Sequence, residues 1–184
     1  MDSPHSIVSF RDVVETHKKS LYYLSLSLTG NHHDAEDLSQ EVFIKAHKGM
    51  HQFRGDAQMY TWLRRIAINT FLNQKRKKAS SMMGLLEDDV PETEPRSNQP
   101  ASDEQAIYRV TSDLVEQAIN KLSPRERTAF VLKHHQELSI KEVSSAMEVA
   151  DGTVKSLLFR ATKKLQLSLA HLHESIQPVE VVKS

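Results

Sequence analysis

Residues 139–165 read SIKEVSSAMEVADGTVKSLLFRATKKL. Ser139 and Glu142 have the S-x-x-E spacing of a capping box, so a short helix is expected to open there. Val143, Ala146 and Met147 share its inward face. Glu148, Val149, Ala150 and Asp151 form a turn, and a longer helix is expected from Gly152. Its Val154, Leu158, Ala161 and Leu165 fall at i, i+4, i+7 and i+11, one helical stripe. Two helices joined by a tight turn, the second basic and exposed, form the helix-turn-helix pattern. The outward face of the second helix carries Thr153, Lys155, Ser156, Phe159, Arg160 and Lys163. Donors for base edges, a flat apolar ring for thymine methyls and cations for phosphates are what a recognition helix needs. A plain amphipathic helix with a solvated polar side is the simpler alternative.

Working toward the N-terminus, Ser123-Pro124-Arg125-Glu126 is a second capping box, with Pro at the first helical position. Phe130 and Leu132 suit the core of the helix it opens. Ile107, Val110, Leu114, Ala118 and Leu122 mark a helix before it. Further back, residues 79–105 read ASSMMGLLEDDVPETEPRSNQPASDEQ, with Pro91, Pro95, Pro100 and seven acids. That composition predicts a flexible acidic linker.

Three helices are expected before the linker. Phe10, Val13, Val14, Leu21, Leu24 and Leu28 form one stripe, and Gly30 is placed to stop it. Ala35, Leu38, Val42 and Ala46 mark a second helix, with Asn31 as candidate N-cap. A loop runs from Gly49 to Gly55. A third helix, from about Met59 to Lys77, has Tyr60, Leu63, Ala67, Thr70 and Phe71 inward. The expected fold is therefore all-α: two small helical domains joined by a flexible acidic linker. The divisions fall at 1–78, 79–105 and 106–172, with a tail over 173–184.

Composition supports this. The 184 residues include 39% apolar and 26% charged residues, only 5 Gly and no Cys. Disulfides, thiolate zinc sites and a Cys nucleophile are excluded. No apolar run approaches the roughly 18 residues of a membrane span. The start, MDSPHSIVSF, lacks the features of a signal peptide, so a cytoplasmic protein is expected.

The formal net charge of zero is a cancellation of blocks. Residues 1–44 carry net −4, 45–78 net +8, 79–105 net −6 and 151–184 net +2. Fields at a contact surface are local, with a screening length of roughly 8 Å at physiological salt, so the positive block is a candidate nucleic-acid surface. Within it, Trp62, Arg65, Ile66, Asn69, Asn73 and Arg76 form a second stripe on the third helix. Stacking of an unpaired base on an aromatic ring contributes roughly 1–3 kcal/mol, and Asn can read a base edge. A lone Trp could equally serve the core. On the second helix Asp37, Gln40 and Glu41 form an i, i+3, i+4 patch, which suits a basic protein partner or simply solvent. The histidine clusters, His32-His33, His134-His135 and His171-x-His173, lack the HExxH spacing of a metallohydrolase. No catalytic residue, metal or cofactor is expected.

Two long runs resemble a known family. Asp34 to Lys78, containing DAEDLSQEVF and FRGDAQMYTWLRRIAIN, resembles region 2 of bacterial sigma factors of the extracytoplasmic-function (ECF) group. Leu122 to Leu165, containing GTVKS, resembles their region 4. The resemblance implies a promoter-specificity subunit of RNA polymerase. Asp37, Gln40 and Glu41 would meet the β′ coiled coil of the core enzyme, which also presents its β subunit. The loop Phe53–Tyr60, including Arg54, and then Trp62, Arg65, Asn69, Asn73 and Arg76 would hold the melted proximal promoter strand. Thr153, Lys155, Ser156, Phe159, Arg160 and Lys163 would meet the distal promoter duplex. An anti-sigma factor is an implied partner, and the only implied link to a membrane. The acidic linker could compete for the positive block in the free chain.

Two residues depart from the family pattern. Glu148 stands where Gly is common, so a differently shaped turn is expected. Leu157 stands where Arg is common, which suggests a thymine-methyl contact in place of bidentate guanine recognition. The competing reading is a stand-alone helix-turn-helix regulator. It would need a dimerisation surface to read paired half-sites, and no coiled-coil heptads are present.

Overall fold

The computed structural model describes residues 9–53, 58–82 and 114–176. Among these every regular element is helical. Helix α1 spans Phe10–Thr29 and α2 His32–Gly49, followed by a 3-10 turn at Met50–Gln52. Helix α3 spans Met59–Met82, continuing past Lys77. A helix over 114–120, here α4, begins the C-terminal half. Then come α5 (Pro124–Phe130), a π-helical segment (Val131–His135), α6 (Ile140–Met147) and α7 (Asp151–Ile176). The expected helical positions Ile107 and Val110, and most of the acidic linker, lie outside the described residues.

Local chemistry sets the boundaries. Asn31 Oδ1 accepts from the Asp34 N–H at 2.7 Å, capping α2. Both capping boxes form: Glu126 accepts from Ser123 N at 3.0 Å, and Glu142 from Ser139 N at 2.8 Å. Helix α1 stops at Gly30, whose φ of 86° is left-handed and whose N–H returns to the Leu26 carbonyl. Space enforces glycine there as well. A Cβ on Gly30 would lie 2.3 Å from Asn120 Oδ1 and 2.8 Å from Arg127 Nη2.

The apolar stripes of α1, α2 and α3 close on one another through Leu21, Leu24, Leu28, Leu38, Val42, Leu63, Ala67 and Phe71, all fully buried. Each of these leucine, valine and phenylalanine side chains contributes roughly 1.5–3 kcal/mol of transfer free energy. The buried arc of α3 is wider than one stripe, because α5 and α6 pack against α3 as well as α1 and α2. Ile68 and Arg64 are therefore buried too. One apolar cluster runs from Val13 and Leu38 through Ile68 to Leu132, Val143, Met147, Val154 and Leu157. The two halves thus share a core. A second cluster, Ala118, Ile119, Leu122, Ala161 and Leu165, joins α4 to α7.

Two readings of single residues are corrected. Leu157 does not face outward; it is 3% exposed within the shared core. The turn at Glu148 keeps a left-handed shape without glycine, at φ 55° and ψ 45°.

Candidate functional site

Helix α2 presents Asp37 and Gln40 to solvent. Asp37 Oδ2 has one imidazole near it, His33 Nε2 at 3.8 Å. Glu41 is placed differently. Its carboxylate takes Lys45 Nζ at 2.6 Å and Gln74 Nε2 at 2.6 Å, which ties α2 to α3. The Lys45 hydrogen bond holds its carboxyl below the ordinary range against the opposing effect of burial. Beside Gln40, between α1 and α2, lies an open hollow of about 380 Å³ lined by Lys18, Tyr22, Tyr23 and Phe43 among others. Tyr23 is 64% and nearby Ile44 56% exposed. Exposed apolar groups of this size beside a polar patch suit a protein interface. Sequence reasoning passed over them because Tyr22, Tyr23 and Ile44 fall between the stripes that define the core.

Helix α3 carries the second candidate surface. Trp62 is half-buried at the edge of the core, its ring 5.3 Å from Phe53. Gly49 lies beneath that ring, where an added Cβ would come within 3.4 Å. The Trp therefore serves the core on one side and is accessible on the other. Tyr60 is held on several sides: His17 stacks at 5.9 Å, and the Arg64 guanidinium lies 5.8 Å from the ring centre. Its hydroxyl is 3.1 Å from Gln136 Oε1 and 3.3 Å from the Ser20 carbonyl, and burial raises its pKa. Arg65 donates through Nε and Nη2 to Glu148 Oε1, at 2.9 and 2.5 Å. Ile66 and Asn69 are half-buried. Asn73 accepts from Arg76 at 3.0 Å, and both are exposed, followed by exposed Lys77 and Lys78. Arg54 lies outside the described residues.

Helix α7 supplies the third surface. Thr153, Lys155, Ser156, Phe159, Arg160 and Lys163 are all exposed, the Phe159 ring by 70%. The Ser156 hydroxyl donates to the Gly152 carbonyl at 2.9 Å, within its own helix. Arg160 Nε lies 3.4 Å from one oxygen of the buried Glu126, and Lys164 Nζ 2.7 Å from the other. Burial pushes the Glu126 carboxyl up, but the Lys164 ammonium and the Ser123 donors outweigh it and leave it below the ordinary range. One carboxylate thus caps α5 and steers two cations of α7.

Among the described residues no group of His, Asp and Glu could hold a metal ion, and no helix is long and apolar enough to cross a membrane. The arrangement offers three surfaces for association: one mixed acidic and aromatic, one cationic with the half-buried Trp62 ring, and one cationic with the exposed Phe159 ring.

Residues 13–81 match the family model of Sigma-70 region 2, and residues 112–165 match that of Sigma-70, region 4. The chain is 34% identical over 171 residues to the ECF RNA polymerase sigma factor SigW of Bacillus subtilis, covering 89% of this chain and 90% of SigW. It is 35% identical over 144 residues to the RNA polymerase sigma-H factor of Pseudomonas aeruginosa, covering 76% and 75%. Among solved structures it resembles the sigma factor RpoE of Bartonella quintana, crystallised with the anti-sigma factor NepR. That match has a TM-score of 0.66 and 26% identity, over 88% of this chain and 96% of RpoE.

Proposed function

Since the chain belongs to the ECF group of sigma-70 RNA polymerase sigma factors, we propose that its three surfaces divide the work of promoter-specific initiation among core polymerase, melted strand and duplex. The observation that carries this division is their separation onto different helices, α2, α3 and α7, of one short chain. The two-region match does not favour a stand-alone regulator.

Residues 1–78 act as region 2, 79–105 as a tether and 106–172 as region 4. Asp37 and Gln40 dock on the β′ coiled coil of core polymerase, with Tyr23 and Ile44 supplying apolar contact at the patch. Glu41 contributes mainly by fixing α2 on α3. Thr153, Lys155, Ser156, Phe159, Arg160 and Lys163 meet the distal promoter duplex, their cations placed for phosphates and Phe159 for an apolar base edge. Phe53, Arg54, Tyr60, Trp62, Arg65, Asn69, Asn73 and Arg76 hold the opened non-template strand. Unpairing and flipping a base costs a few kcal/mol, which stacking on aromatic rings and phosphate contacts offset. The chain contributes binding energy and position, and the polymerase does the chemistry. It works in the cytoplasm beside the polymerase. The complex of Bartonella RpoE with NepR supports a protein antagonist here too, which could also bring this chain to a membrane.

The test is transcription by purified core polymerase on a library of promoter fragments, with and without this chain. Starts at a defined subset of fragments, appearing only with the chain, are expected. Failure both to bind core enzyme and to direct any start would refute the reading.

A further inference from the structure

The C-terminal half reaches three residues of the face assigned to the melted strand. Arg65 places two donors on one oxygen of Glu148. Asn69 lies beside the same carboxylate and, after Arg65, helps to lower its pKa. The Tyr60 hydroxyl meets Gln136 Oε1 at 3.1 Å. These contacts span 83 residues for Arg65–Glu148 and 76 for Tyr60–Gln136. Both partners stand at helix ends: Gln136 closes the π-helical segment, and Glu148 closes α6 in the left-handed conformation. A β-carbon is disfavoured there, yet this backbone is what aims the carboxylate at α3.

The chemistry of the contact matters. At Arg65 a carboxylate offers what a strand phosphate offers, anionic oxygens that accept from a guanidinium fork. At Tyr60 the partner is an acceptor oxygen, as on a base or backbone. We propose that Glu148 and Gln136 act as an intramolecular stand-in for the melted strand, closing the face of α3 while the two halves are together. This rests on the reading of α3 as the strand-holding helix. The Arg65 and Glu148 side chains are 57% and 52% exposed. A pair so exposed is weak and salt-sensitive, so it yields where a strand phosphate competes for Arg65, while the shared core holds the halves together. The net −6 linker is not needed for this masking, because the competing anion belongs to the helix-turn-helix itself.

The test uses the full chain. Glu148→Gly removes the carboxylate and places at φ 55° the residue that tolerates it best, so the fold is kept. Glu148→Gln preserves side-chain size. Glu137→Gln removes one charge from the same half, at an exposed side chain next to Gln136 that itself makes none of the contacts described, and controls for net charge. Affinity for a fluorescent single-stranded oligonucleotide is read by anisotropy at fixed salt. Because the sequence has no Cys, a dye pair at Lys48→Cys and Thr162→Cys reports the separation of the halves. Glu148→Gly should bind at least threefold more tightly than wild type, and Glu148→Gln at least twofold. Glu137→Gln should stay near wild type, and Glu148→Gly should leave the dye-pair distance unchanged, because the buried core and not the exposed pair holds the halves together. Unchanged strand affinity in Glu148→Gly, or an equal gain in Glu137→Gln, overturns the proposal. Core-dependent transcription by the wild-type chain is measured in parallel. If starts occur but strand affinity does not respond, the stand-in alone is wrong; if no starts occur, the functional reading falls with it.

Discussion

Arg127 Nε, on α5, donates to the carbonyl of Ser27, on α1, at 2.9 Å across 100 residues of sequence. Its Nη1 reaches the Thr29 carbonyl at 3.4 Å. Both carbonyls belong to the last turn of α1, where helices leave acceptors unpaired and carry partial negative charge. Burial lowers the Arg127 pKa to about 10, against a raising influence from Glu116, so it stays charged at neutral pH. A cation of the second half therefore caps a helix of the first. Arg127→Met should keep the bulk but leave these acceptors buried and unsatisfied, a loss of about 1–3 kcal/mol. Urea denaturation measures it, and an unchanged midpoint would contradict the capping role.

The same junction should respond to pH. His135 lies 3.4 Å from Ser27 Oγ, and its pKa is lowered from 6.5, first by burial and then by His134 and Arg127. The folded state thus binds this proton less readily than the unfolded chain. The contribution is fully present above about pH 6.5 and declines as pH falls from there to the folded pKa, below which it changes no further. The depressed carboxyl of Glu126 acts in a lower window, its contribution being lost only as pH falls below 4.5. Denaturation midpoints of wild type and His135→Gln should converge as pH drops from 7 toward 5. Parallel curves would show that His135 is not a source of the dependence.

Asp37 and Glu41 are neighbours on α2 with different surroundings, so their substitutions should separate. Asp37→Arg alters an exposed site and should move stability by no more than about 0.5 kcal/mol, while abolishing association with core polymerase. Glu41→Ala removes the partner of Lys45 and Gln74 and should cost up to about 1 kcal/mol of stability, with a smaller effect on association. Pull-down with core enzyme and thermal melts of the two variants decide this. Normal association by a folded Asp37→Arg protein removes Asp37 from the docking surface.

Much of this was legible in the chain because it is local. Asn31, Ser123, Ser139 and Gly30 end or begin helices through contacts within a few residues, and the stripe at Ala35–Ala46 and the positions Val154, Ala161 and Leu165 bury as their spacing requires, whereas Leu158 is only partly buried. Arg127, Arg64, Ile68 and Leu157 were not legible. Each is buried by packing between segments far apart in sequence, and no periodicity within one helix encodes that. For the same reason Arg65 and Tyr60 could be read as nucleic-acid contacts but not as partners of Glu148 and Gln136. The order of the three surfaces was visible; the closed pose of the halves was not.

Leu157 gives the sharpest contrast between the two views. From sequence, Leu157→Arg restores a common family residue and should change the distal element that is read. In the structure, the side chain is buried with Val154, Val143 and Met147 in the shared core, and an arginine there would carry an unpaired charge into apolar surroundings. The expected result is a loss of several kcal/mol, read as a lower denaturation midpoint. Arg160→Ala should do the reverse. Its side chain is largely exposed at 55%, so stability should change little. Contact with the distal element should weaken by roughly 1–3 kcal/mol if Arg160 reads a base. Footprinting on promoter fragments and melts of both variants separate the cases. A stable Leu157→Arg protein with altered promoter choice would place residue 157 on the DNA face instead.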